Sequence, residues 1–309
     1  MSTSDDGILS SLRYLFADFL DEADTTPPFL PLGLPAGAEA VVSEGIHLLM
    51  DYQGASYAKL YVERLQRFIG RQGTNPQAVE PAIFCEIARL MARRMAYEDA
   101  IRIAQVKLAE YNASGGRIRS TEIHRFRFDE LVDALPEIAA DPILMVLGKL
   151  GWEHRRVAIP FSTVNRWGLR RLRIEAWLRR WRMFSIRYAQ ERAWVERWLH
   201  MIARALVKQP QAVRAVVETA TMITGFGDPY RRGLADWHAI IDGLAKPTFD
   251  GDLPLADLAA AIAEARAAIL PDPRQVALKR AIAEIRARAL GAAANAGDAA
   301  ADARDAAAE

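Results

Sequence analysis

Apolar residues recur at three- and four-residue spacing along most of the chain, a period that predicts a mostly α-helical protein. The pattern is densest from Arg166 to Lys208, a stretch with no proline and a single glycine, Gly168. Trp177 and Trp181 are four apart there, and so are Trp194 and Trp198, so each pair falls on one helical face. Leu178, Phe184, Ile186, Val195, Leu199 and Ile202 extend the apolar surface, and a bend or break is expected near Ser185.

The remaining chain supports a multi-helix, bundle-like globular domain. Residues 1–24 read as a short acidic amphipathic helix or arm, and 25–37 as a proline-rich linker held extended by its prolines. Helical period resumes from Ala38 to Gly70 with a kink at Gly54, then a turn over 71–77, then one long helix from Pro81 to Leu108. Asn112–Arg119 is a breaker, and the alternation in RIRSTEIHRFRFDE predicts a short β-hairpin or an extended crossover. Glu130–Leu150 returns to helix, with Asp141–Pro142 as a start signal for its second half. Further helices are predicted over 211–224, 234–244, 254–270 and 273–290. The helical body therefore spans 38–290. The Ala/Asp-rich tail, 291–309, has no large apolar residue to bury and is expected to be disordered or only transiently helical.

Charge changes the picture only locally. Lys+Arg 40 against Asp+Glu 39 leaves the whole molecule near neutral, so any electrostatic role must come from asymmetry along the chain. Residues 1–24 carry six acids and one arginine, whereas Arg166–Arg197 holds ten arginines against three glutamates. Two readings of that basic stretch stand side by side. In one it is an amphipathic core helix whose arginines are solvated or paired with carboxylates elsewhere. In the other, Arg180, Arg182 and Arg187 face an anion or a partner, since the guanidinium fork suits carboxylates and phosphates. The lone Cys85 sits among Ile83, Phe84, Ile87 and Ala88 and reads as a buried packing thiol. There is no run of about 18 apolar residues to cross a membrane and no basic, apolar leader at the N-terminus, so the cytoplasm is the default compartment.

No familiar catalytic pattern emerges. The glycine-rich turn ITGFGDPYRRG lacks the Gly-Lys-Ser/Thr ending of a phosphate loop and follows a helix. Its Gly225, Gly227, Asp228, Arg231 and Arg232 could form an anion site with backbone N–H groups, or a structural turn whose arginines pair with acids. The five histidines are scattered singly. Glu98 and Asp99 are adjacent, and neighbouring helical positions point apart, so they form no carboxylate dyad. No metal ligand set is assigned.

Four blocks in order, LPAGAEAVVSEGIHLLMDYQGASYAKLYVERL, ARLMARRMAYEDAIRIAQVKL, RWRMFSIRYAQERAWVERWL and ITGFGDPYRRG, span roughly residues 34–245. Together they resemble the helical C-terminal domain of the indolepyruvate oxidoreductase (indolepyruvate:ferredoxin oxidoreductase) beta-subunit family. The resemblance implies thiamine-diphosphate-dependent oxidative decarboxylation of aryl pyruvates, with coenzyme A and an electron acceptor such as ferredoxin. Thiamine diphosphate, Mg and iron–sulfur clusters are then expected on partner subunits, with none bound by this chain alone. The gamma-type domain that precedes this region in relatives has no room before Leu34, so a split arrangement is expected, with a thiamine-diphosphate/iron–sulfur subunit and a gamma-type subunit as partners. On that reading the chain is an accessory, non-catalytic component. The surface candidates are Tyr52, Gln53 and Tyr57; Tyr97, Glu98, Asp99 and Arg102; and the turn Gly225–Arg232. The alternative is a nucleic-acid or anion-binding helical module using the Arg/Trp-rich 166–208 stretch; a pI of about 7.9 argues against it.

Overall fold

The structure, a computed structural model, describes residues 26–70, 78–135, 137–152 and 154–306, without the side chains of 137–139 and 296–306. The helix expected within 1–24 and the turn over 71–77 lie outside the described residues. Among the described residues the protein is mostly α-helical with one two-stranded antiparallel sheet, as the periodicity predicts. It divides into two compact units, Met1–Ile69 with Ala88–Val195, and Gly70–Ile87 with Glu196–Glu309.

In the first unit, α1 (Ala38–Tyr52) and α2 (Ala55–Gln66) meet at the predicted break, Gly54. They pack closely because Gly45 has no side chain: a Cβ there would lie 2.5 Å from the Tyr61 hydroxyl. That hydroxyl instead donates to the Ala88 carbonyl at 3.1 Å. The long helix expected over Pro81–Leu108 is two helices, α3 (Pro81–Met95) and α4 (Ala100–Ala113). Asp99 explains the interruption. It is extended, and its carboxylate accepts the Arg102 N–H at 2.6 Å, an N-cap that starts a new helix where apolar spacing alone shows continuity.

Strand β1 (Thr121–Arg127) pairs antiparallel with β2 (Arg156–Ser162), in register from Thr121↔Ser162 to Arg127↔Arg156. The alternation in β1 is thus real, but its partner follows two helices, α5 (Phe128–Asp133) and α6 (Glu137–Leu150), rather than a tight turn. Phe126 and Phe161 are buried on one face while Ile123 is exposed on the other. Pro160 is tolerated because a two-stranded ribbon has only edge strands. Pro142 lies inside α6 instead of starting a second helical half; it costs the helix one hydrogen bond without ending it. Buried Lys107 on α4 pairs with Glu122, tying the ribbon to the helices.

The basic stretch breaks where expected. Helix α7 (Arg166–Trp177) passes into a 3-10 turn, Leu178–Phe184, and Ser185 is extended before α8 (Ile186–Lys208). The Ser185 hydroxyl accepts the Tyr188 N–H at 3.1 Å, capping α8. Gly168 lets α7 lie on β2, since a Cβ would come within 2.4 Å of the Ser162 carbonyl oxygen.

The second unit begins within α8, at Glu196. There Trp198 donates to the Val216 carbonyl beside α9 (Val213–Glu218), and Trp237 of α10 (Gly227–Ile240) donates to Thr219. Helix α10 starts seven residues before the predicted Leu234, because the Gly225–Arg232 turn is largely its first turns. It runs through a π-helical segment, Ile241–Ala245, into α11 (Lys246–Asp250), then α12 (Leu258–Ala267) and α13 (Val276–Ala306). The predicted tail is helical backbone as far as Ala306, with residues 291–295 exposed; alanine's high helix propensity continues α13. Cys85 is half-buried rather than enclosed. Among the described residues no helix is long and apolar enough to cross a membrane.

Candidate functional site

Most of the candidate residues meet at one place in the first unit, around Arg182. This arginine is 1 % exposed and comes from the 3-10 turn. Its Nε donates to Asp99 Oδ2 at 2.8 Å and its Nη2 to Asp99 Oδ1 at 3.0 Å, a forked pair. Nη1 donates to the Tyr52 carbonyl at 3.0 Å and to Gln53 Oε1 at 3.3 Å, and Nη2 also reaches Gln105 Oε1 at 3.4 Å. A guanidinium has five N–H donors, so these five contacts use its whole capacity. Its plane lies 3.9 Å from the Tyr52 ring centroid, close enough for cation–π attraction.

Helix ends dictate this geometry. The C-terminus of α1 leaves carbonyls without intrahelical partners and carries partial negative charge. Arg182 and the Gln105 amide supply donors to those of Asp51 and Tyr52. Asp99 caps α4 and receives Arg182 with the same carboxylate. Gln53 donates back to the Arg179 carbonyl at 3.0 Å. One side chain therefore joins the end of α1, the start of α4 and the turn before α8.

A second ion cluster lies against it. Glu191 on α8, 2 % exposed, pairs with Arg94 of α3 and lies 2.9 Å from Arg187. Arg94 stacks over Trp194 and Arg187 over Tyr97. Tyr52 contacts Tyr57 and Tyr97 by their rings, Tyr57 contacts Tyr188, and the Tyr57 hydroxyl donates to the Met95 carbonyl at 3.0 Å. Burial raises the pKa of Tyr52, Tyr57 and Tyr97 well above the usual phenol range; Arg182 opposes this at Tyr52 and Tyr97 without reversing it. These phenols stay neutral across the physiological range, so none is poised as a general base. Burial by itself would lower the pKa of Arg182, but it is raised; where Tyr52 is neutral, the charge and hydrogen bonds of Asp99 hold the guanidinium charged.

Arg102 borders this centre, half-buried over the Tyr52 ring. Other candidates stand apart from it: Glu98 is exposed, and Arg180 is exposed beside Trp177. In the second unit Arg231 donates to Asp228 at 2.9 Å, an i,i+3 pair within α10, with Arg232 half-buried nearby in the helix. The turn thus follows the structural reading: its arginine faces its own acid. Gly225 and Gly227 have φ of 68° and 73°, which explains the glycines by conformation.

Four contributors escaped the sequence reading: Arg94, Gln105, Tyr188 and Glu191. Glu191 carried a usable signal, being one of three glutamates among ten arginines and four residues after Arg187. Arg94 and Gln105 carried none, because their partners are distant in sequence. A further group in the second unit, Arg197 with His238 and Asp242, borders the π-helical segment; burial, then Arg197, lowers the pKa of His238. Among the described residues no group of three or more His, Cys, Asp or Glu could hold a metal ion.

No curated protein and no solved structure matches the chain. A family model matches residues 38–243, which take in the Arg182 centre and all of α10. By that match the chain belongs to DUF6537, a family of unknown function.

Proposed function

We propose that this chain is a non-catalytic helical subunit of a cytoplasmic, thiamine-diphosphate-dependent 2-oxoacid:acceptor oxidoreductase of the indolepyruvate type. The observation that supports this reading most is how Arg182 uses its donors. All five point to protein acceptors, and the neighbouring phenols are held neutral, so the residues with the most chemical potential are spent on joining helices. Such a body scaffolds catalytic subunits and presents an outer surface to them. Thiamine diphosphate, Mg and the iron–sulfur clusters reside on the partners in this proposal, and this chain shapes docking for substrate, coenzyme A or the electron carrier. Exclusion of water at such a junction strengthens electrostatics in the partner's site.

The test is purification of the tagged chain from its native cells, with thiamine and iron determination and an assay for 2-oxoacid-dependent reduction of an acceptor dye. Co-purified chains that carry both cofactors and the activity support the reading. A second reading, nucleic-acid binding, is favoured by one observation: Trp167, Trp177 and Trp181 are exposed next to arginines, as on a base-stacking surface. Salt-sensitive binding of a single-stranded oligonucleotide by the purified chain distinguishes it.

A further inference from the structure

The outward face of α7 and the 3-10 turn is unusual for a protein surface. Leu172 points inward and is buried, and Arg171 pairs with Glu175, the one acid between Arg166 and Phe184. On the opposite side Trp167 is 78 % exposed, Ile174 54 %, Trp177 51 % and Trp181 42 %. Trp167, Ile174 and Trp177 recur at helical spacing along α7, Trp181 follows in the 3-10 turn, and exposed Arg170 and Arg173 stand among them. Large apolar residues at this density mark an interaction site. A covering element must bring apolar side chains at matching spacing and negative charge around them.

We propose that the acidic segment 1–24 of the same chain is what binds this face. Its composition is the complement: six acids and one arginine, with Leu12, Phe16 and Phe19 at three- and four-residue spacing. The segment belongs to the same unit as this face: the Gln53 contact to Arg179 puts the end of α1 against the 3-10 turn, and residues 26–37, which join the segment to the start of α1, turn at Leu32–Gly33 and Ala36–Gly37 rather than running extended. The segment thereby acts as a built-in competitor for whatever else uses the Arg/Trp face. This inference does not rest on the oxidoreductase reading.

The experiment uses the full chain with Trp177→p-benzoylphenylalanine, irradiated at low micromolar concentration and mapped by mass spectrometry. The expected result is a cross-link within one chain to residues 1–24. Its yield falls about tenfold when Arg170→Glu and Arg173→Glu are added, and falls in 1 M salt, because exposed charges are screened there. Circular dichroism checks that the charge-reversed chain is folded. The proposal is overturned by absence of that cross-link, by cross-links only between two chains, or by a yield that charge reversal leaves unchanged. Tight low-salt binding of a single-stranded oligonucleotide to the unmodified chain, with no cross-link to the segment, assigns the face to nucleic acid and overturns it equally.

Discussion

Arg182 is almost wholly buried, so its charge depends on protein partners. Removing one partner of a buried ion pair typically costs about 3–5 kcal/mol, because the other charge is left uncompensated. Arg182→Ala leaves the Asp99 carboxylate without its charged partner and the Tyr52 carbonyl with only the Gln105 amide, so a loss in that range is expected in urea unfolding. Arg182→Lys recovers little, since an ammonium offers three donors and no fork to a site that engages five. Wild-type stability for the lysine variant would show that the fork is dispensable. The tyrosines give a pH signature. For Tyr52, Tyr57 and Tyr97 the folded pKa is raised, chiefly by burial, above the unfolded value near 10. The unfolded chain therefore releases protons first, so their contribution is complete below about pH 10 and stability falls as pH rises beyond it. Absorbance titration at 295 nm should show these three of the eight tyrosines ionising only with unfolding; reversible titration of all eight near pH 10 would refute the burial. At this scale the sequence was informative about residue types. Tyr52, Gln53, Tyr57, Tyr97, Asp99, Arg182 and Arg187 could be named, but as a surface; that they gather around buried Arg182 and the buried tyrosines depends on long-range pairings which no local spacing encodes.

At the scale of elements, caps decide what periodicity cannot. Ser185 ends the 3-10 turn and starts α8, and an apolar pattern that faltered there was enough to expect the break. Asp99 does the same between α3 and α4, yet the apolar stripe runs on through it and suggests one helix. The two caps should respond differently to mutation. Ser185→Ala loses an N-cap, about 0.5–2 kcal/mol, and Ser185→Asp retains the capping oxygen. Asp99→Asn keeps the cap of α4 but withdraws the charge facing Arg182, whereas Asp99→Ala loses both. Asp99→Ala is therefore expected to unfold at clearly lower denaturant than Asp99→Asn, with both below wild type. Equal midpoints for the two variants would separate the cap from the ion pair and contradict their shared carboxylate. The β-ribbon shows the same limit from another side: alternation located β1, but the partner strand lies beyond two helices.

For the whole molecule, hydrophobic period gave the α-helical class and near-neutral charge pointed to local rather than global electrostatics. The division into two units was not visible, because two of its three boundaries fall within α3 and α8, where helical period is uninterrupted. The role proposed for this helical body, in which partner chains carry the chemistry, is open to direct test. Native purification of the tagged chain, followed by thiamine and iron determination on the eluted assembly and on the chain separated from it, measures it. The predicted result is an assembly that contains thiamine diphosphate, iron and 2-oxoacid-dependent reductase activity, all of which stay with the partner chains on separation. A monodisperse chain that elutes without them, or that retains a cofactor bound wholly by its own residues, would contradict it.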